Sequence, residues 1–191
     1  MTLPESETIT EPTPKVRLAV IGVGVMGSSH VKDIAVRLPN TQLAAVCDII
    51  PERADQFASQ FGAPAFYNYR DMLDKVDLDG IVIATPHYDH TPISIDAFQR
   101  GIHVLVEKPL AVHVKDGRKM IAAYEQARAK KPEIQFAIMF MSRLHSQWKK
   151  IKEILEAGEL GKLVRATWLI TDWFLTQTYY DNGGWRAIWS G

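Results

Sequence analysis

Residues 16–31 read VRLAVIGVGVMGSSHV. Val16 to Ile21 is a short apolar run closed by a glycine, the pattern of a strand covered on both faces. Gly22-Val23-Gly24-Val25-Met26-Gly27 follows at once. Beyond it, Met26, His30, Ile34 and Leu38 recur at helical spacing until Pro39-Asn40, which predicts a helix over Met26 to Leu38. A glycine-rich turn alone says little. Between a strand and a helix it has a specific use. Gly22 permits the tight turn, Gly24 lets the backbone approach a pyrophosphate, and Gly27 lets the helix pack closely on the strand. The helix start at Val25 and Met26 then offers free N–H groups and a partial positive charge to phosphates. The plain alternative is a tight strand–helix turn that binds nothing.

The same alternation continues along the chain. Leu43 to Asp48 reads as a second strand. Pro51 to Phe61 reads as a helix, with proline in its first turn and Gly62 just past its end. A third strand near Ala65 to Tyr67, a helix over Tyr69 to Lys75 and a strand over Gly80 to Ala84 come next. Thr91 to Arg100 (helix), His103 to Val106 (strand), Val114 to Ala129 (helix) and Ile134 to Phe140 (strand) complete the series. Strands alternating with helices imply right-handed crossovers and a mostly parallel sheet with helices on both faces. The expectation is a doubly wound α/β domain, a Rossmann-type dinucleotide-binding domain, over residues 15–140, after a flexible tail over 1–14. Residues 141–191 read differently. Gln147 to Ala157 is an amphipathic helix, and Leu163 to Trp173 alternates like a strand. They read as the opening of a second, α+β domain that this chain leaves incomplete, since one strand cannot satisfy its own backbone.

Composition sets broad limits. The 191 residues hold 22 basic and 22 acidic side chains, 47% hydrophobic and 23% charged residues, and one cysteine. A net charge of zero gives no electrostatic case for nucleic acid or an anionic membrane surface. No apolar run is long enough to span a bilayer, and the acidic, proline-containing N-terminus is unlike a signal peptide. Cys47 alone forms no intrachain disulfide, which fits a cytoplasmic location; it reads as a small buried hydrophobe.

Several side chains fall at the C-terminal ends of strands, where open α/β sheets bind ligands. Asp48 ends the second strand, placed to accept hydrogen bonds from ribose hydroxyls and to repel a 2′-phosphate, which favours NAD. Arg53 sits close enough in sequence to pair with that phosphate, so NADP stays open. Asp48 could instead cap the helix that starts near Pro51. Thr85-Pro86-His87-Tyr88-Asp89-His90 leaves the fourth strand, where capping and cofactor contact are favoured over a metal, because the three candidate ligands lack zinc spacing. His103 and His113 read as structural. Glu107-Lys108-Pro109 leaves the next strand. Glu107 and Lys108 could form a plain surface ion pair; beside a cofactor, a lysine can stabilise charge on a reacting oxygen and help move its proton.

Taken together, GVGVMGSSH at residues 22–30, Cys47-Asp48, ATPHYDH at 84–90 and GIHVLVEKPLA at 101–111 resemble the Gfo/Idh/MocA oxidoreductases. The resemblance continues through Gly158-Glu159-Leu160-Gly161-Lys162 to Gly184-Trp185-Arg186. It implies a nicotinamide-dependent dehydrogenase of a sugar, polyol or related alcohol. Lys108 is then the catalytic residue, with Glu107 beside it near the nicotinamide, and Thr85, Pro86 and His90 line the cofactor. Trp185 and Arg186 approach it from the second domain. His87 departs from the asparagine common at its place. Family members run longer, with a later aspartate and histidine completing the catalytic group and a large sheet that usually forms the oligomer contact. The resemblance therefore implies a chain that binds cofactor with an incomplete catalytic site, and a homo-oligomer only where the second domain is completed. The competing reading is an NAD(H)-binding module or sensor without turnover. A methyltransferase or other non-redox Rossmann protein is disfavoured by the Glu107-Lys108-Pro109 motif and by Asp48.

Overall fold

The computed structural model describes residues 14–171 and 174–182. Six strands and seven α-helices follow one another among them: β1 (Val16–Ile21), α1 (Val25–Lys32), β2 (Thr41–Cys47), α2 (Pro51–Phe61), β3 (Ala65–Phe66), α3 (Tyr69–Lys75), β4 (Gly80–Ile83), α4 (His90–Gln99), β5 (His103–Val106), α5 (Val114–Lys130), β6 (Phe136–Ile138), α6 (Ser146–Glu156) and α7 (Gln177–Asn182). The strands hydrogen-bond in the order β3-β2-β1-β4-β5-β6. The pairs β1–β2, β2–β3 and β5–β6 are parallel, with Val20 opposite Val46 and Val104 opposite Phe136. This is the doubly wound order of a dinucleotide-binding Rossmann fold. The chain divides within β4, between Val82 and Ile83, into two compact units.

In the first unit the core is aliphatic: Ala19, Val20, Val31, Ala45, Val46, Ala54 and Met72 have no exposed surface. Because β1 and β2 are covered on both faces, their inner halves are apolar at every position rather than at alternate ones. The expected face of α1 is corrected by the structure. Gly27, Val31 and Ile34 are buried, while Leu38 is half exposed. The helix loosens into a π-helical turn over Asp33–Arg37, which rotates the last residues off the 3.6-residue stripe. Helices α2 and α3 occupy their expected spans. Gly62 stops α2 in the left-handed conformation, and the Asn68 side chain accepts the Arg70 N–H at 2.9 Å to start α3. Arg17 anchors the start of β1 by donating to Asp79 Oδ1 at 2.8 Å and pairing with Asp77.

The second unit buries Ile83, Ile93, Ala97, Phe98, Val104, Val106, Met120 and Ile134. Phe98, Tyr124 and Phe136 pack edge-on or tilted with ring centres 5.1–5.6 Å apart, a favoured aromatic geometry. Past β6 the character changes: no described residue from Met141 to Asp181 is buried. Helix α6 forms as expected, one residue earlier at each end. The expected strand over Leu163 to Trp173 does not form across 163–171, and positions 172 and 173 lie outside the described residues. Alternation gives a strand two faces but not a neighbour, and with no partner strand among the described residues its backbone groups stay with solvent. Trp168 instead lies 4.6 Å, ring to ring, from Trp148 of α6. Among the described residues no helix is long and apolar enough to cross a membrane.

Candidate functional site

In the first unit the glycine turn and the end of β2 are brought together. Gly22 has φ of 84°, a left-handed conformation that only glycine adopts without strain. Its N–H donates to the Cys47 carbonyl at 2.7 Å, so the turn leaves β1 pinned to β2. One residue later the Val23 N–H donates to Oδ2 of Asp48 at 2.9 Å. The other Asp48 oxygen, Oδ1, accepts the Ile50 N–H at 3.0 Å at the start of α2. Asp48 is only 7% exposed. The bond to Ile50 closes the turn before α2, but no side chain caps that helix, so the capping alternative for Asp48 is not what forms. Two backbone donors occupy one lone pair on each oxygen, and a carboxylate has about four acceptor sites, so capacity for ribose hydroxyls remains.

Gly24 is the N-cap of α1. A Cβ built there would meet nothing within 4 Å, no side chain caps the helix, and no acidic residue stands in its first turn. An open approach to an uncapped helix N-terminus fits an anionic phosphate. Met26 is partly covered, Gly27 is buried, and Val25 is 73% exposed. Arg53 is exposed in the first turn of α2. Cys47 is buried beside Asp48, and burial, with the charges of Asp48 and Asp71 adding to it, pushes its thiol up to about 12. It is an inert core residue, as its apolar surroundings in the sequence imply.

In the second unit two strand ends are joined. The Glu107 N–H donates to the Ile83 carbonyl at 2.9 Å, linking the end of β5 to the end of β4. Glu107 is 5% exposed and its Oε2 accepts the Lys108 N–H at 3.2 Å, while the Lys108 side chain is exposed. The Lys108–Pro109 peptide bond is cis. After β4, Thr85 is partly covered, Pro86 exposed and His87 partly covered. The Thr85 hydroxyl is buried with no hydrogen-bond partner. An orphaned hydroxyl at a strand's carboxyl end fits a ligand contact, since buried polar groups are otherwise paired. His90 opens α4 with no exposed surface; its Nδ1 lies 2.9 Å from the Pro109 carbonyl and its Nε2 3.1 Å from the Thr85 carbonyl. With both nitrogens on backbone oxygens, neither is directed at a metal. His103 Nδ1 accepts the Gln135 N–H at 2.8 Å and His113 packs edge-on against Tyr88, the structural parts expected of them. Trp185 and Arg186 lie outside the described residues.

The family model described as an oxidoreductase family with an NAD-binding Rossmann fold matches residues 16–131. The chain belongs to the Gfo/Idh/MocA oxidoreductases. Its sequence is 34% identical over 146 residues to an inositol 2-dehydrogenase of Mycolicibacterium gilvum, covering 76% of this chain and 41% of that protein. An inositol 2-dehydrogenase of Salmonella paratyphi B is 28% identical over 148 residues, covering 76% and 43%. Among solved structures, WlbA dehydrogenase from Bordetella pertussis, in complex with NADH and UDP-GlcNAcA, superposes with a TM-score of 0.78 at 29% identity. That superposition covers 90% of this chain and 51% of WlbA. The chain spans about 43% of the length of the Salmonella relative. It carries the NAD-binding Rossmann fold of the Gfo/Idh/MocA family, as the motifs and the strand order imply. Sequence reading did not find the Asp48–Val23 bond or the double contact of His90, because both join residues whose spacing has no local signature.

Proposed function

We propose that this chain is the cofactor-binding part of an NAD-dependent dehydrogenase acting on a sugar, polyol or related alcohol. The observation that carries the reading is the open, uncapped start of α1 at Gly24, held by Asp48 through Val23. In this proposal Gly22, Gly24, Val25, Met26 and Gly27 take the pyrophosphate. Asp48 accepts from the adenosine ribose, and exposed Arg53 stands where an added 2′-phosphate would reach. Thr85, Pro86 and His87 line the nicotinamide end with Glu107 and Lys108, and His90 acts through the backbone it holds. Trp185 and Arg186 belong to the same proposal, as do the assignment of residues 15–140 to the Rossmann domain and of 141–191 to the start of a second domain. The inositol 2-dehydrogenases among the relatives support the polyol class, and a homo-oligomer would come with that second domain. The lone buried Cys47 supports a reducing, cytoplasmic setting.

When bound, the nicotinamide supplies a hydride acceptor or donor. The chain's own contribution is Lys108, whose ammonium carries three donors and no acceptor. It would hydrogen-bond the reacting oxygen and stabilise negative charge developing on it. Buried Glu107 orients the start of that turn through the Lys108 N–H. Binding is tested by NADH fluorescence on the chain and on Gly24→Val, which places a branched side chain in the pyrophosphate approach. Saturable binding lost in the variant supports the proposal; equal binding by both proteins would remove the glycine turn from it.

A further inference from the structure

The turn that carries Lys108 is fixed at its start by β-sheet hydrogen bonding and at its end by one imidazole. The Glu107 N–H on Ile83 settles the residue before Lys108. The residue after it, Pro109, has no N–H to give and is itself exposed, but its carbonyl meets Nδ1 of fully buried His90 at 2.9 Å. The opposite ring nitrogen faces the carbonyl of Thr85, whose own hydroxyl is buried without a partner. One rigid ring, set at the first residue of α4, therefore spans the two loops that leave β4 and β5.

We propose that His90 is a positioning residue: it donates its Nδ1–H to the Pro109 carbonyl and so sets where the turn carrying Lys108 stands. A neutral imidazole has one N–H, and the assignment here gives it to the shorter contact. His90 touches neither cofactor nor substrate in this scheme. Its effect on binding passes through Lys108, so the functional half of the proposal rests on the cofactor reading above. The mechanical half does not.

The test separates the two. Asparagine places its amide nitrogen about where Nδ1 stands, and glutamine about where Nε2 stands. Amide exchange resolved at Lys108 and Leu110 is compared in His90→Leu, His90→Asn and His90→Gln, with Val104, bonded to Gln135 within the same unit, as folding control. The expected result is exchange about tenfold faster in His90→Leu, the scale of one lost hydrogen bond. Return to the parent rate is expected in His90→Asn but not in His90→Gln. If the leucine variant does not fold, the Asn–Gln comparison decides alone. Equal exchange in Asn and Gln variants, or a leucine variant matching the parent, overturns the tie. NADH affinity measured on the same proteins should follow the exchange order; affinity indifferent to a loosened turn overturns the positioning role. Failure of the parent chain to bind NADH would count against the cofactor reading, and the exchange pattern would still judge the tie.

Discussion

The Val23 N–H donates to Asp48 Oδ2 at 2.9 Å, bridging 25 residues and fastening the glycine turn to the end of β2. This one bond makes the carboxylate a structural part of the turn as well as a candidate ribose acceptor. Its mate, Ile50 N–H to Oδ1 at 3.0 Å, ties the same carboxylate to the start of α2.

Removing that carboxylate has a cost that needs no cofactor to appear. Asp48→Ala leaves the buried Val23 N–H and the part-buried Ile50 N–H without their acceptors, at about 1–3 kcal/mol for a fully buried donor and less for the other. Urea unfolding should show a loss of about 2–4 kcal/mol, given partial access of water to the turn. Asp48→Asn keeps one acceptor oxygen and should lose less. A fully stable alanine variant would mean that the turn holds its shape without Asp48.

Cys47 gives a pH dependence with a definite sign. Its folded thiol is pushed up to about 12, above the ordinary cysteine value of 9.0. The stability associated with keeping it neutral is therefore fully present below the unfolded value and is lost as pH rises from about 9.0 towards about 12. Between those limits Tm should fall more steeply for the parent than for Cys47→Ala. The same burial should keep the thiol from reacting with an aromatic disulfide reagent until the chain unfolds. Rapid labelling of the native protein, or parallel Tm profiles, would contradict the assignment.

Turnover should separate from binding in the polypeptide of these 191 residues. Lys108 is exposed, buried Glu107 accepts its N–H, and both ring nitrogens of His90 face backbone carbonyls. Lost positioning and proton transfer together cost many orders of magnitude in rate. With NAD and a polyol and sugar panel, reduced nicotinamide should form no faster than in Lys108→Ala. Formation well above that control would require another proton acceptor, with His87 the first to test.

Much of the fold is legible in the sequence because its signals are local. Pro51 and Gly62 bracket α2, and the unbroken apolar run Gly80–Ile83 marks a strand whose four residues are all buried. The glycine turn is legible for the same reason. Where the reading goes wrong, a non-local term decides. The stripe of α1 moves to Gly27, Val31 and Ile34 with the π-turn. Residues 163–171 have the alternation of a strand and, among the described residues, no strand paired with them. The short helix Gln177–Asn182 lacks any apolar period to announce it. Of the candidate site, the strand-end positions were readable, but the bonds that fasten them were not. Nothing in the spacing of Asp48 from Val23, or of His90 from Pro109, distinguishes these pairs from neighbours that do not touch.

The most direct test of the account is a paired calorimetric titration of the chain with NADH and NADPH. A carboxylate held at the end of β2 by Val23 and Ile50 accepts from ribose hydroxyls and repels a 2′-phosphate. NADH should bind at least about tenfold more tightly than NADPH, a difference of about 1.4 kcal/mol, and Asp48→Ala should narrow the gap. Equal or tighter binding of NADPH would contradict the account and give the site to Arg53.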